Sequence, residues 1–144
     1  MLRGMSNKPN PDMSRLTGTP PGTLLATLDI RVTEASPERV VATMPVGPKV
    51  HQPFGILHGG ASVVLAETVA SIGATLNVGA EQRAVGLEIN ANHIRAVGSG
   101  LLTGTATPLH RGRSTHVWQV EIRSEEKQLV CTSRCTLAII TARD

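Results

Sequence analysis

From Leu24 to Val32 the apolar residues Leu24, Ala26, Leu28, Ile30 and Val32 share one parity, while Asp29, Arg31 and Thr33 take the other, which is the alternation of a half-buried strand. The stretch ERVVATMPV repeats it with Val40, Ala42, Met44 and Val46, and ASPER between the two suits a hairpin connection. From about Gly59 the period changes. Ala61, Val64, Leu65, Thr68, Ile72 and Leu76 recur at helical spacing as far as about Val78, in a segment apolar on nearly every side. That is the pattern of a helix held inside a core, and Gly79 is a natural stop. Beyond it VGSG, RGRS and SEEKQ separate four further strands. Val85, Leu87 and Ile89 are expected to share one face; His116, Trp118, Val120 and Ile122 a second; Leu129, Cys131, Cys135, Leu137 and Ile139 a third; GLLTGTATPLH supplies the remaining strand. Two strands, one long helix and four strands predict an α+β domain in which an antiparallel sheet wraps a central helix.

Composition narrows this. Residues 1–19, with NKPNPDMS and TGTPPG, have the make-up of a flexible tail, leaving 20–144 as a single domain. Phe54 and Trp118 are the only large rings, so base-stacking platforms are not expected, and a formal charge of +3 scattered along the chain does not point to nucleic acid. No apolar run approaches the roughly 20 residues of a membrane span, and the N-terminal residues lack a signal-peptide core, so a cytoplasmic protein without membrane attachment is expected. Cys131 and Cys135 lie four residues apart in a strand, about 13 Å at a rise of about 3.3 Å per residue, too far to pair. His51, His110 and His116 have no metal-ligand spacing, and no metal is assigned.

The candidate chemistry lies in HQPFGILHGGASVVLAETVAS, residues 51–71, where Glu67 interrupts the apolar helix. Its helical neighbours are Val63, Val64, Ala70 and Ser71, so the carboxylate is either a partnered structural acid or a reactive one. Gly59 and Gly60 stand where a helix offers free N–H groups and the positive end of its dipole; close backbone packing is the alternative reason for them. A pair of donors with an acid suits an oxyanion hole beside a nucleophile or base, the needs of acyl transfer. No G-x-S-x-G elbow is present. Eight residues of helix separate Gly59 from Glu67, about 12 Å at about 1.5 Å per residue. One carbonyl cannot touch both within a chain, so the spacing predicts a homodimer with sites shared between subunits.

This stretch, followed by VGLEINANHIRAV and PLHRGRSTHVWQVEI, resembles the hotdog-fold thioesterases of the 4-hydroxybenzoyl-coenzyme A type that use a catalytic glutamate. The resemblance covers about Leu24 to Ile140 and is nearest to the branch with the 1,4-dihydroxy-2-naphthoyl-CoA thioesterase of menaquinone synthesis and the enterobactin proofreading thioesterase. It implies that Glu67 is the catalytic carboxylate, as nucleophile or general base, and that Gly59 N–H polarises the thioester carbonyl. It implies that Gln52 and His58 orient the thioester and assist departure of the thiolate, and that Ser71 places water or substrate. Val64, Thr68 and His93 would line the acyl group, with Arg95, Arg111 and Arg113 as candidates for the phosphates of coenzyme A. The implied partners are an acyl-CoA substrate and further copies of the chain, as a dimer of dimers; no cofactor is needed beyond the coenzyme A of the substrate. A carrier-protein thioester and a non-catalytic acyl-CoA-binding module are the alternatives. Members of this family carry a short helix before the first strand, where this chain is rich in proline.

Overall fold

The computed structural model describes residues 13–142 of the chain. Two short helices, α1 (Met13–Thr17) and α2 (Leu24–Thr27), lead into β1 (Arg31–Ser36) and β2 (Arg39–Val46). A single 3-10 turn, Pro48–Val50, precedes the long helix α3 (Gly59–Leu76), and β3 (Gln82–His93), β4 (Gly100–Arg111), β5 (Thr115–Arg123) and β6 (Leu129–Thr141) complete the fold. The six strands form one antiparallel sheet in the order β1-β2-β4-β5-β6-β3, and α3 lies against all six. The strand and helix pattern predicts this antiparallel sheet around a central helix, and it is the hotdog fold that the resemblance implies.

The N-terminal expectation needs two corrections. Where alternation suggested a strand from Leu24, the chain makes α2, because Thr23 caps it by accepting from Ala26 N–H and three-residue spacing turns Leu25 and Leu28 onto the core. Asp29, in the left-handed region at φ 55, redirects the chain into β1. The helical turns expected to be missing are therefore present, and α1 lies inside the segment expected to be a tail; residues 1–12 of that segment are outside the described residues.

The core explains why α3 can be apolar on most sides. By length and composition α3 could also cross a membrane, yet here Leu65, Ala66, Val69, Ala70 and Ala74 are fully buried against the sheet. Trp118, fully buried on β5, is the largest core side chain, and its burial is worth roughly 4–6 kcal/mol. Gly73 makes this possible, since a Cβ there would come within 2.6 Å of the indole. Trp118, Val120 and Ile122 share the inner face with Cys131, Cys135 and Leu137 across the β5–β6 ladder, as alternation predicts. Both cysteines are free and buried.

β3 departs from simple alternation. The register with β6 shifts between Gly86 and Glu88, so Gly86 lies opposite the buried Leu137 and Ile89 opposite the buried Cys135, both facing inward. Val85 and Leu87 are exposed and do not share a face with Ile89, contrary to the expectation from the sequence.

Candidate active site

The start of α3 has a specific division of donors. His58 is the N-cap: its Nδ1 accepts from Gly60 N–H at 2.8 Å and its carbonyl from Ala61 N–H at 3.0 Å. Among the described residues nothing accepts from Gly59 N–H, which is therefore a free donor at the positive end of an 18-residue helix. Because Nδ1 is an acceptor, neutral His58 carries its proton on Nε2, toward solvent. Gly60 allows this cap, since a Cβ there would lie 2.9 Å from Nδ1.

The loop before the helix fixes Gln52. Its backbone N–H donates to the Ile56 carbonyl at 2.8 Å, its carbonyl accepts from Gly55 N–H, and its side-chain Oε1 accepts from Phe54 N–H. With Oε1 engaged, the amide NH₂ is what Gln52 can offer a ligand. Gln52, Gly59, Ser62, His93 and Arg95 border one cavity of ≈ 320 Å³, with Ile56, Leu57, Ile94 and Val130 as apolar wall. The His93 ring lies on Gly59, where a Cβ would be 2.7 Å from its Nε2. Ser62 was not anticipated. It is fully buried and among the described residues its hydroxyl has no partner, whereas Thr68 and Thr75 return theirs to the carbonyls of Val64 and Ser71 one turn back. Its position three residues after Gly59 was the available signal.

Glu67 stands two turns further along α3, half-buried, and among the described residues no donor reaches its carboxylate. Oε1 occupies the space that a side chain on Gly86 would need, 2.5 Å from a Cβ there. Burial, then the charges of Glu67 and Glu88, push the Cys135 thiol up to about 11. Ser71, one turn after Glu67, is half-buried with its hydroxyl uncommitted. Val64 packs on the core, and Thr68, whose hydroxyl proton goes to the Val64 carbonyl, has its methyl group and a hydroxyl lone pair left for a ligand.

The remaining basic residues separate. Arg95 borders the cavity at the Gly59 end. Arg111 is at the far end of α3, donating through Nη1 to Asn77 Oδ1 at 3.1 Å and the Pro37 carbonyl at 3.4 Å, with Glu38 at 3.9 Å. Arg113 follows in the exposed β4–β5 turn. Within one protomer the three arginines do not converge. Among the described residues no three His, Cys, Asp or Glu side chains cluster as a metal site would require.

A six-stranded sheet wrapped on a helix that carries an N-terminal donor and an unpartnered acid defines a class, and the chain belongs to the thioesterase superfamily, whose family model matches residues 54–131. It is a thioester hydrolase. A Vibrio cholerae relative, named no more specifically than as an esterase, is 53% identical over 137 residues, covering 95% of this chain and 91% of its own. The 1,4-dihydroxy-2-naphthoyl-CoA hydrolase of Escherichia coli is 49% identical over 119 residues, 83% of this chain and 88% of its own. A Staphylococcus aureus thioesterase has been solved in two variants. One, with a glutamate replaced by alanine, has a TM-score of 0.82 at 43% identity, covering 83% of this chain and 100% of that one. The other, with a glutamine replaced by alanine, has a TM-score of 0.79 at 44% identity, covering 81% and 97%.

Proposed function

We propose that the chain hydrolyses an acyl-CoA thioester with an aromatic or related acyl group, giving the free acid and coenzyme A, at a site built from two copies of the chain. The observation that carries this reading is that the free Gly59 N–H and the unpartnered Glu67 carboxylate stand on one unbroken helix, eight residues and hence about 12 Å apart. The carbonyl of a bound thioester accepts from Gly59 N–H, and Glu67 of a second copy drives attack on the carbonyl carbon, as nucleophile or as base toward water. The C–S bond breaks, water supplies the hydroxyl of the acid, and the thiolate leaves with a proton that the Nε2–H of His58 can donate. The Gln52 amide is a further donor to the thioester. The two replaced positions of the S. aureus protein are separated by the same number of residues as Gln52 and Glu67.

The edge of β3 supports the shared site. β3 pairs with β6 on one side only, among the described residues its other edge is unpaired, and Val85, Leu87 and Ile94 are exposed along or just beyond it. A 12-residue edge strand with exposed aliphatic residues is suited to pairing with a second copy. The name of the E. coli relative supports a dihydroxynaphthoyl or similar aromatic acyl group.

Thiol release from aromatic and aliphatic acyl-CoA esters, and from the same acyl groups on a carrier protein, tests the reading. Wild type should favour aromatic CoA esters, and Glu67→Gln should lower kcat by about 10²–10⁴-fold. Unchanged turnover in Glu67→Gln would remove the carboxylate from the mechanism. Preference for the carrier-bound esters would make the chain a proofreading enzyme.

A further inference from the structure

The Glu67 carboxylate has no hydrogen-bond partner in the described chain, so something other than a donor sets its direction. Gly86 is the only glycine of β3, and it lies at the register shift with its missing side chain directed inward, opposite the buried Leu137. Glu67 Oε1 fills that space. A glutamate side chain has three rotatable bonds and would otherwise sample many directions. We propose that Gly86 is a positioning residue for Glu67, its bare backbone at the β-bulge forming the slot in which the carboxylate rests. The inference rests on the hydrolytic role given to Glu67 above.

Gly86 is not among the positive-φ glycines, so alanine is compatible with its backbone and acts there through the added methyl group alone. The Cβ faces the helix rather than the unpaired edge of β3, so it leaves pairing with a second copy untouched. The methyl and Oε1 cannot both occupy the slot at 2.5 Å, and the flexible carboxylate is the group that yields. A displacement of about 1 Å at a reacting group can cost about 10²-fold in rate.

The test is a double-mutant cycle. Gly86→Ala in the wild-type background should lower kcat by about 10-fold or more with KM within about 3-fold. In a Glu67→Asp background, where the acid is one methylene shorter and no longer reaches the slot, the same Gly86→Ala change should cost less than about 2-fold. Equal factors in both backgrounds, or no loss in the wild-type background, would overturn the inference. A crystal structure of Gly86→Ala reads the same question without activity: the carboxylate should leave the slot, and its retention there would also overturn the inference. If wild type turned over no thioester, the hydrolytic reading would fail while the crystal structure still decided the fate of the slot.

Discussion

The contact between α3 and β3 uses the same device twice, in opposite senses. At its N-terminal end a glycine of the helix, Gly59, accepts the ring of a strand residue, His93; two turns along, a glycine of the strand, Gly86, accepts the carboxylate of a helix residue, Glu67. The surroundings differ. The Gly59 end borders a cavity of ≈ 320 Å³ with donors from Gln52 and Arg95, whereas the Gly86 end holds an acid with, among the described residues, no donor beside it and the thiol of Cys135 nearby. One end is furnished to receive negative charge and the other to supply it. On the proposed reading, a single helix carries both halves of an acyl-transfer site, two turns apart, without letting them neutralise each other.

The largest effect expected from separating these halves comes from removing one in each of two chains. Gly59→Pro keeps φ suitable for the first helical position and is compatible with the extended His58 before it, yet deletes the free N–H. It should lose about 10²–10³-fold in kcat, the magnitude of one oxyanion donor. Mixed with inactive Glu67→Ala, it should recover on the order of a quarter of wild-type activity, since each mixed dimer keeps one site with neither lesion. Heterodimers that form and remain inactive would place both halves in the same protomer.

A smaller effect distinguishes the N–H from the His93 contact. Gly59→Ala retains the donor but drives a methyl group into the His93 ring, so it should cost about 10-fold, less than Gly59→Pro, and His93→Ser should relieve most of that loss. Proline and alanine variants of equal activity would assign the defect to His93 instead of the N–H. The smallest effect is a titration at the Gly86 end. Burial raises the Cys135 thiol most, and the charges of Glu67 and Glu88 add to it, pushing it up to about 11 in the folded protein, well above the ordinary thiol value. Glu67→Gln should lower the titration without reaching that value, whereas Gly59→Ala should leave it in place. Alkylation rates across alkaline pH in a Cys131→Ser background measure both, and no change in Glu67→Gln would contradict a charge beside the thiol.

α3 and the β5–β6 face were legible because many consecutive residues repeat one period, so no single substitution disturbs the pattern. α2 was not, since Leu24 to Val32 satisfies alternation while the Thr23 cap and Asp29, two local hydrogen-bonding and dihedral facts, decide the conformation. The bulge in β3 was hidden for a related reason: VGLE alternates well, and only pairing with β6 reveals that Val85 and Ile89 face opposite ways. At the site Glu67 was conspicuous as an acid in an apolar segment. Ser62 resembled any small helical residue, and the separation of Arg95 from Arg111 follows from sheet order, which spacing along the chain does not encode.

Trp118 beneath Gly73 has a practical consequence. The chain has one tryptophan and no tyrosine, so its near-ultraviolet emission comes from a single buried indole pressed between α3 and the sheet. That signal reports whether the helix is seated. The protein therefore carries its own optical control, able to separate a variant that has lost its chemistry from one that has lost its fold.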